Sequence, residues 1–130
     1  MKILIAEDDL VSRKLMFKLL SAYGQCDLTV DGIEAVEAFD MALDLGEPYD
    51  LICLDVMMPK VDGIKALRAI RDIERQRKVE SSSKVKIIVL TALGNTEYVS
   101  AALETKNEMY VEKPIETSSL ISAMEQLSLL

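Results

Sequence analysis

Five short apolar runs alternate along this chain with segments of helical periodicity, and this alternation constrains the fold more than any other feature of the sequence. The strand-like runs are KILIA, CDLTV, LICLD, VKIIVL and MYVE. Helical spacing of apolar residues occupies residues 10–22, 33–45, about 63–78, 96–103 and the segment from about 118 onward. Buried parallel strands need a crossover, usually a helix, between one strand and the next. The pattern therefore predicts an α/β, doubly wound fold with a five-stranded parallel sheet and five helices.

Size and charge exclude several classes of protein. With 130 residues, half of them apolar, the chain suits one compact domain, 1–130, with a sizeable core. A membrane span needs roughly 20 apolar residues, which no segment offers, and the N-terminus MKILIAEDD becomes acidic too early for a signal peptide. We therefore expect a soluble, cytoplasmic protein that does not contact a membrane. The formal charge of −7 would repel nucleic-acid phosphates, so we expect no direct binding to nucleic acid.

The sulfur-containing residues do not form a recognisable metal or redox motif. Cys26 and Cys53 lie inside apolar runs, and the sequence contains no histidine. Neither cysteine belongs to a Cys-x-x-Cys pair, so we expect both to be small buried hydrophobic residues. Without Cys or His nearby, Met16 is expected in the core of the first helix, and Met57 and Met58 are expected to pack around a turn.

Polar side chains stand where four of the predicted strands end. These ends carry Glu7, Asp8 and Asp9, then Asp55, then Thr91 and Ala92, and finally Lys113 and Pro114. In open parallel sheets, ligands bind at the carboxyl ends of the strands, near the point where the strand order reverses. If the first and third strands are neighbours, Glu7, Asp8 and Asp55 converge, and their carboxylates repel one another unless a cation neutralises them. Oxygen ligands of this kind favour Mg²⁺.

Asp55 ends a strand that we expect to be buried on both faces, where an unpaired charge is costly. A functional role would explain its position. Beside Mg²⁺, its carboxylate can act as a nucleophile toward a phosphoryl group and form an acyl phosphate. The hydroxyl of Thr91 and the ammonium of Lys113 would complete a phosphate cradle.

Ordinary structural explanations also exist for these residues. We expect helix caps at Asp9, at Asp62 and at Asn95 or Thr96. Taken singly, Thr91 is a β-favouring residue, Lys113 a solvated loop lysine and Tyr110 a half-buried sheet residue. The coincidence of four strand ends favours a functional site over these separate explanations.

Four motifs, ILIAEDD, LDVMMPKVDG, VLTA and YVEKP, resemble in their order and spacing those of the receiver domain of two-component response regulators, the CheY-like family. The resemblance spans nearly the whole chain. It implies the flavodoxin-like strand order 2-1-3-4-5 and a signalling switch in which Asp55 accepts a phosphoryl group, with Mg²⁺, from a histidine kinase or a histidine phosphotransfer protein. It implies no enzyme activity beyond self-phosphorylation and self-dephosphorylation.

The resemblance also implies a role for each matching residue. The implied Mg²⁺ ligands are Asp8 directly, Glu7 through water, a carboxylate oxygen of Asp55 and the backbone carbonyl of Met57. The implied phosphate-binding residues are Thr91, Ala92 and Lys113, the last preceding a cis peptide bond to Pro114. Phosphorylation would draw Thr91 inward and let Tyr110 swing in, which changes the surface of the fourth helix, fifth strand and fifth helix, roughly residues 95–130. We expect a downstream protein target to bind there.

Some positions depart from the common pattern of the family. Glu7 replaces the commoner aspartate, which should leave metal binding intact. Lys106 and Asn107 replace Gly-Ala before the fifth strand, so a left-handed residue there would have to be one of these two.

Met57 and Leu93 stand at the positions that flank the path of the hydrolytic water in the family, and their apolar side chains predict slow loss of phosphate. The charged residues typical of dimeric, DNA-binding members are not evident in the last third, so we expect a monomer.

Three alternatives remain open at the level of sequence. A Mg²⁺-dependent phosphatase of the haloacid dehalogenase type would need a second carboxylate two residues after Asp55, where Met57 stands. A flavodoxin-like FMN-binding protein would need a Ser/Thr/Gly-rich phosphate loop, whereas EDDLV follows the first strand. The closest alternative is that the chain is a receiver module of a larger response regulator or hybrid kinase rather than a stand-alone receiver.

Overall fold

A computed structural model describes residues 1–92 and 94–130. Leu93 lies outside the described residues, so the expectation that it shields the phosphate from water rests on the sequence alone. No helix in the described part of the chain has the length and apolar character needed to cross a membrane.

Strands and helices alternate strictly along the described residues. The strands are β1 (Lys2–Ala6), β2 (Gln25–Thr29), β3 (Leu51–Asp55), β4 (Lys86–Thr91) and β5 (Glu108–Glu112). The α-helices are α1 (Leu10–Leu20), α2 (Gly32–Asp44), α3 (Gly63–Gln76), α4 (Thr96–Ala102) and α5 (Thr117–Gln126), and a short 3₁₀ helix spans Ser81–Ser83. All strand pairs are parallel, in the order β2-β1-β3-β4-β5. The predicted fold class and strand order are confirmed.

The sheet carries an apolar core on each face. Every residue of β3 is buried: Leu51 and Cys53 face the layer of α1 and α5, whereas Ile52 and Leu54 face the layer of α2, α3 and α4. Burial on both faces explains why this strand lacks the alternation of polar and apolar residues that a one-sided sheet shows. It also means that the chain can place a charge in β3 only at its end, which is where Asp55 stands.

The helix ends agree with most of the expected caps. The Asp9 carboxylate accepts a hydrogen bond from the backbone N–H of Ser12 at 2.8 Å, and the Asp62 carboxylate accepts one from Lys65 at 2.9 Å. Asn95 precedes α4 but makes no side-chain cap bond. Helix α1 ends two residues earlier than predicted, because the chain turns at Ser21, whose backbone N–H and hydroxyl both donate to the carbonyl of Phe17.

Side-chain burial confirms some expectations and corrects others. Met16 and Met58 are buried as predicted, but the expected packing of Met57 is wrong, because 67% of it is exposed. Met57 lies in the bend that follows β3, where its side chain is exposed between the buried Val56 and Met58. Tyr110 is 39% exposed, in line with the expectation of a half-buried residue of the sheet.

Two further expectations have clear outcomes. Cys53 is fully buried and Cys26 only partly, and both thiols are free. No left-handed residue occurs at Lys106 or Asn107. None is required there, because α4 already ends at Ala102 and Leu103 continues the chain in an extended conformation.

Candidate functional site

The carboxyl ends of β1 and β3 lie side by side, at the point where the strand order reverses. Ala6 pairs with Leu54, and Glu7 and Asp55 follow them directly. One carboxylate oxygen from each of Glu7, Asp8 and Asp55 lies within 4.8 Å of the others. Glu7 and Asp55 are buried, whereas Asp8 is exposed. The structure therefore brings together the three carboxylates singled out in the sequence.

Lys113 reaches this cluster from the end of β5. Its ammonium nitrogen Nζ lies 2.7 Å from Glu7 Oε1 and 3.3 Å from Asp55 Oδ2. Its backbone N–H donates to the carbonyl of Thr91 at 2.7 Å, which ties the segment after β5 to the end of β4. The peptide bond between Lys113 and Pro114 is cis, as the resemblance implied.

Burial and charge shift the pKa values of two groups in the cluster. Burial of Glu7, together with its contact with Asp55, raises the pKa of the Glu7 carboxyl to about 7, although Lys113 acts in the opposite direction. Burial by itself would lower the pKa of the Lys113 ammonium, but the carboxylates of Glu7 and Asp55 outweigh it and raise that pKa. The carboxyl of Glu7 therefore titrates close to neutral pH.

The remaining candidate residues surround the cluster at different distances. The backbone N–H of Met57 donates to Asp55 Oδ1 at 3.3 Å. Thr91 is fully buried at the end of β4, where its hydroxyl donates to the carbonyl of Ala92 in a long hydrogen bond of 3.4 Å. Tyr110 is not part of the cluster: it lies in the middle of β5, where it pairs with Val89, two residues before the strand ends.

Two supporting residues were missed from the sequence. The guanidinium of Arg13, one turn into α1, donates to the carbonyls of Glu7 at 2.9 Å and Asp8 at 3.3 Å. The carbonyl of Thr29 accepts from the backbone N–H of Glu7 at 3.1 Å. The position of Arg13, four residues after the cap Asp9, was a usable signal, because that spacing returns a helical side chain toward the preceding loop. Nothing in the sequence marks the contact of Thr29.

The donor set fits a hard divalent cation. Carboxylate oxygens are the ligands that Mg²⁺ prefers, and a Mg²⁺ site in proteins usually combines one or two carboxylates with water. The exposed position of Asp8 gives water access to one side of the cluster. The ammonium of Lys113, which contacts Glu7 and Asp55, balances only part of the negative charge of the three carboxylates, so a divalent cation would neutralise more of it.

Comparison with known proteins decides the family. The sequence profile described as the response regulator receiver domain matches residues 3–125. The chain belongs to this family. It is 30% identical over 122 residues to the chemotaxis protein CheY of Treponema pallidum (strain Nichols), which covers 92% of this chain and 77% of that protein.

Larger signalling proteins also contain matching segments. The hybrid signal transduction histidine kinase B of Dictyostelium discoideum is 36% identical over 129 residues, which are 95% of this chain but 6% of the kinase. Among solved structures, the receiver domain of the sensor histidine kinase PA1611 from Pseudomonas aeruginosa PAO1 is 30% identical, with a TM-score of 0.75 over 98% of this chain and 97% of that one. That crystal structure holds a magnesium ion in its active site cleft.

The protein is therefore a receiver domain of two-component systems. Domains of this family are signalling phosphoacceptors that use Mg²⁺. This conclusion covers the domain itself. The chain spans 5% to 12% of the length of the first histidine kinases that it matches.

Proposed function

We propose that Asp55 is the phosphoacceptor of this receiver domain and that Glu7, Asp8, Asp55 and the backbone carbonyl of Met57 hold Mg²⁺. The main support is the position of Asp55, whose carboxylate is buried at the end of β3, shares a cluster with two further carboxylates and contacts the ammonium of Lys113. The donor is a phosphohistidine of a histidine kinase or of a histidine phosphotransfer protein.

The proposed transfer is a single displacement at phosphorus. A carboxylate oxygen of Asp55 forms the new bond to phosphorus, the bond from phosphorus to the donor's imidazole nitrogen breaks, and the electron pair stays on that nitrogen. Lys113 already lies 3.3 Å from Asp55 Oδ2, so its ammonium is placed to offset charge on the phosphoryl oxygens. Mg²⁺, when bound, supplies further charge neutralisation. The backbone of Ala92 and the hydroxyl of Thr91 stand at the adjacent strand end to bind the same oxygens.

The output of the switch is a change at the surface formed by α4, β5 and α5. Thr91 is buried and linked through its carbonyl to the backbone of Lys113, so a movement of Thr91 toward phosphate would be transmitted to the segment that follows β5. Tyr110 lies in β5 with 39% of its surface exposed, which leaves it free to turn inward. A downstream protein target binds this surface in one of the two states.

The proposal also covers location, oligomeric state and chemistry. The domain acts as a cytoplasmic monomer, binds no nucleic acid directly, and has only self-phosphorylation and self-dephosphorylation chemistry. A phosphatase of the haloacid dehalogenase type is disfavoured because Met57 carries no carboxylate and its side chain points to solvent. The receiver works either alone or as a module of a longer protein, and the phosphoacceptor step is the same in both.

The assignment of Asp55 is tested by phosphorylation with acetyl phosphate and Mg²⁺, followed by intact-mass and peptide analysis. We expect the parent chain to gain one phosphoryl group at Asp55 and the Asp55→Asn variant to gain none. Asp62→Asn is the matched control, since Asn also caps a helix and the residue lies in the loop that follows Asp55. An acyl phosphate that persists in Asp55→Asn would place the phosphoacceptor elsewhere.

Loss of Lys113 should separate phosphorylation from its effect. We expect Lys113→Ala to bind Mg²⁺ still but to show little of the phosphorylation-induced change in NMR chemical shift around Tyr110, because the ammonium couples the phosphate to β5. The exposed Lys106→Ala, also close to β5, is the control and should respond like the parent. If phosphorylated Lys113→Ala and the phosphorylated parent give the same shifts, Lys113 has no coupling role.

A further inference from the structure

The loop between β3 and α3, residues 56–62, carries the proposed Mg²⁺ ligand Met57 and is enclosed by two close backbone contacts. At its end, a Cβ on Gly63 would lie 2.4 Å from the carbonyl oxygen of Asp55, and the backbone N–H of Gly63 donates to Val56 at 3.1 Å. On its other side, a Cβ on Gly32 would lie 1.9 Å from the carbonyl oxygen of Val61. Gly32, the first residue of α2, therefore packs directly against the backbone of this loop.

Lys60 lies in the middle of the loop in an unusual conformation. Its φ of 67° falls in the left-handed region, which is sterically unfavourable for a residue with a Cβ. Because residue 60 is a lysine rather than a glycine, contacts with the rest of the protein must hold it in this left-handed conformation. One is visible: the ammonium of Lys60 lies 3.3 Å from Oδ2 of Asp31, the residue that precedes α2.

Asp31 has two simultaneous contacts. Its Oδ1 accepts a hydrogen bond from the backbone N–H of Glu34 at 2.8 Å and caps α2, while its Oδ2 faces Lys60. The Asp31 side chain is only 5% exposed, whereas that of Lys60 is 63% exposed. Two residues before Asp31, the carbonyl of Thr29 accepts from the backbone N–H of Glu7. The end of β2 and the turn that follows it thus contact the candidate metal site at two places: Thr29 contacts Glu7, and Asp31 contacts the loop of Met57.

We propose that Asp31 and Lys60 are a positioning pair that fixes the β3–α3 loop, and with it the backbone of Met57, for Mg²⁺ binding. This inference rests on the proposed function of Asp55 and its neighbours. Mg²⁺ demands near-ideal octahedral geometry, so its affinity responds to a small displacement of one ligand. Partners that orient metal ligands without touching the metal commonly change metal affinity by 10-fold or more. Because Lys60 acts on Met57 through the two intervening residues Met58 and Pro59, we expect about a threefold to tenfold effect on Mg²⁺ affinity.

The test uses Lys60→Gly, Lys60→Gln and Lys60→Arg in the full chain, with Mg²⁺ affinity from calorimetric titration, the rate of phosphorylation by acetyl phosphate, and Tm. Glycine accepts the positive φ but removes the charge, so Lys60→Gly should keep the Tm of the parent while it binds Mg²⁺ about threefold to tenfold more weakly. Lys60→Gln should weaken binding similarly, and Lys60→Arg should restore it. A merely structural pair would instead change Tm and Mg²⁺ affinity together.

Asp31→Asn completes the experiment, because Asn keeps the helix cap and removes the charge. We expect Asp31→Asn and the double variant with Lys60→Gln to lose the same affinity as Lys60→Gln alone, since one interaction is removed in each case. Lys65→Gln is the control, because Lys65 is exposed and forms no ion pair among residues 1–92 and 94–130. Parental Mg²⁺ affinity in Lys60→Gly and Lys60→Gln, or additive losses in the double variant, would overturn the pair. A parent chain that binds no Mg²⁺ would overturn the proposed function and this inference with it.

Discussion

Replacing Arg71 by Leu is expected to lower the free energy of unfolding by about 3 to 5 kcal/mol, because it leaves two buried carboxylates without their cation. Arg71 lies on α3, and its side chain is 11% exposed. Its guanidinium donates to Glu74 Oε1 and to Glu108 Oε2, both at 2.7 Å, and to the carbonyl of Val85 at 2.9 Å. The side chains of Glu74 and Glu108 are each 1% exposed. This cluster joins α3 to the starts of β4 and β5, at the amino-terminal ends of the strands, opposite to the acidic site.

The carboxylates of Glu74 and Glu108 also accept hydrogen bonds from backbone N–H groups. These bonds remain in Arg71→Leu and limit the loss of stability. Glu74 Oε2 accepts from the N–H of Val85 at 2.8 Å, and Glu108 Oε1 accepts from the N–H of Glu104 at 2.9 Å. Burial raises the pKa of Glu108, but the Arg71 and Glu104 hydrogen bonds outweigh it and lower that pKa below its usual value. A lowered carboxyl pKa stabilises the folded state above the pKa of the unfolded chain, and Arg71→Leu removes part of that contribution.

Denaturant unfolding of three variants checks the prediction. Arg75→Leu is the control, because Arg75 pairs with Asp72 on the surface of the same helix, where both side chains are largely exposed, and should cost only about 0.2 to 1 kcal/mol. Adding Glu74→Gln and Glu108→Gln to Arg71→Leu removes the uncompensated charges but keeps acceptors for the backbone donors. About half of the lost stability should then return. If Arg71→Leu costs no more than Arg75→Leu, the buried ion pairs contribute little to stability.

The acidic site was accessible from sequence because short-range patterns place its residues. Glu7, Asp8 and Asp55 follow directly after apolar strands, and in a parallel sheet the ends of neighbouring strands share one edge. Two facts, the strand pattern and the adjacency of β1 and β3, are enough to bring these carboxylates together. The same reasoning placed Lys113 near them, since it follows β5 at the same edge.

Contacts between helices and loops were not accessible in this way. Arg71 and Glu74 belong to one charged stretch of α3 and Glu108 to another charged stretch, and both stretches look solvated. The partners Arg71 and Glu108 are 37 residues apart. A helical pattern indicates which face of α3 is apolar but not which of its charged residues fold over the end of the sheet. The pair Asp31 and Lys60 has the same character, because it depends on how closely α2 approaches the β3–α3 loop.

The affinity for Mg²⁺ is expected to fall about 20-fold when the pH is lowered from 7.5 to 5.5, because a proton on Glu7 competes with the cation. The pKa of the Glu7 carboxyl is raised to about 7 by burial and by Asp55. Mg²⁺ requires the ionised form, so its apparent affinity should rise by up to about tenfold per pH unit below pH 7 and level off above it.

The same shift has an opposite consequence for the metal-free protein. A carboxyl with a raised pKa binds its proton more tightly in the folded state, so its contribution to stability is complete below pH 4.5, the usual pKa, and is lost as the pH rises toward 7. Calorimetric Mg²⁺ titrations and urea unfolding between pH 5 and 8 measure both effects. Glu7→Gln has no titrating group at position 7, so it should bind Mg²⁺ more weakly, with an affinity that does not change between pH 5 and 8. The stability of the metal-free variant should decline less than that of the parent over the same range. Parallel profiles for parent and variant would show that Glu7 titrates far from neutral pH and that another group controls the binding of the cation.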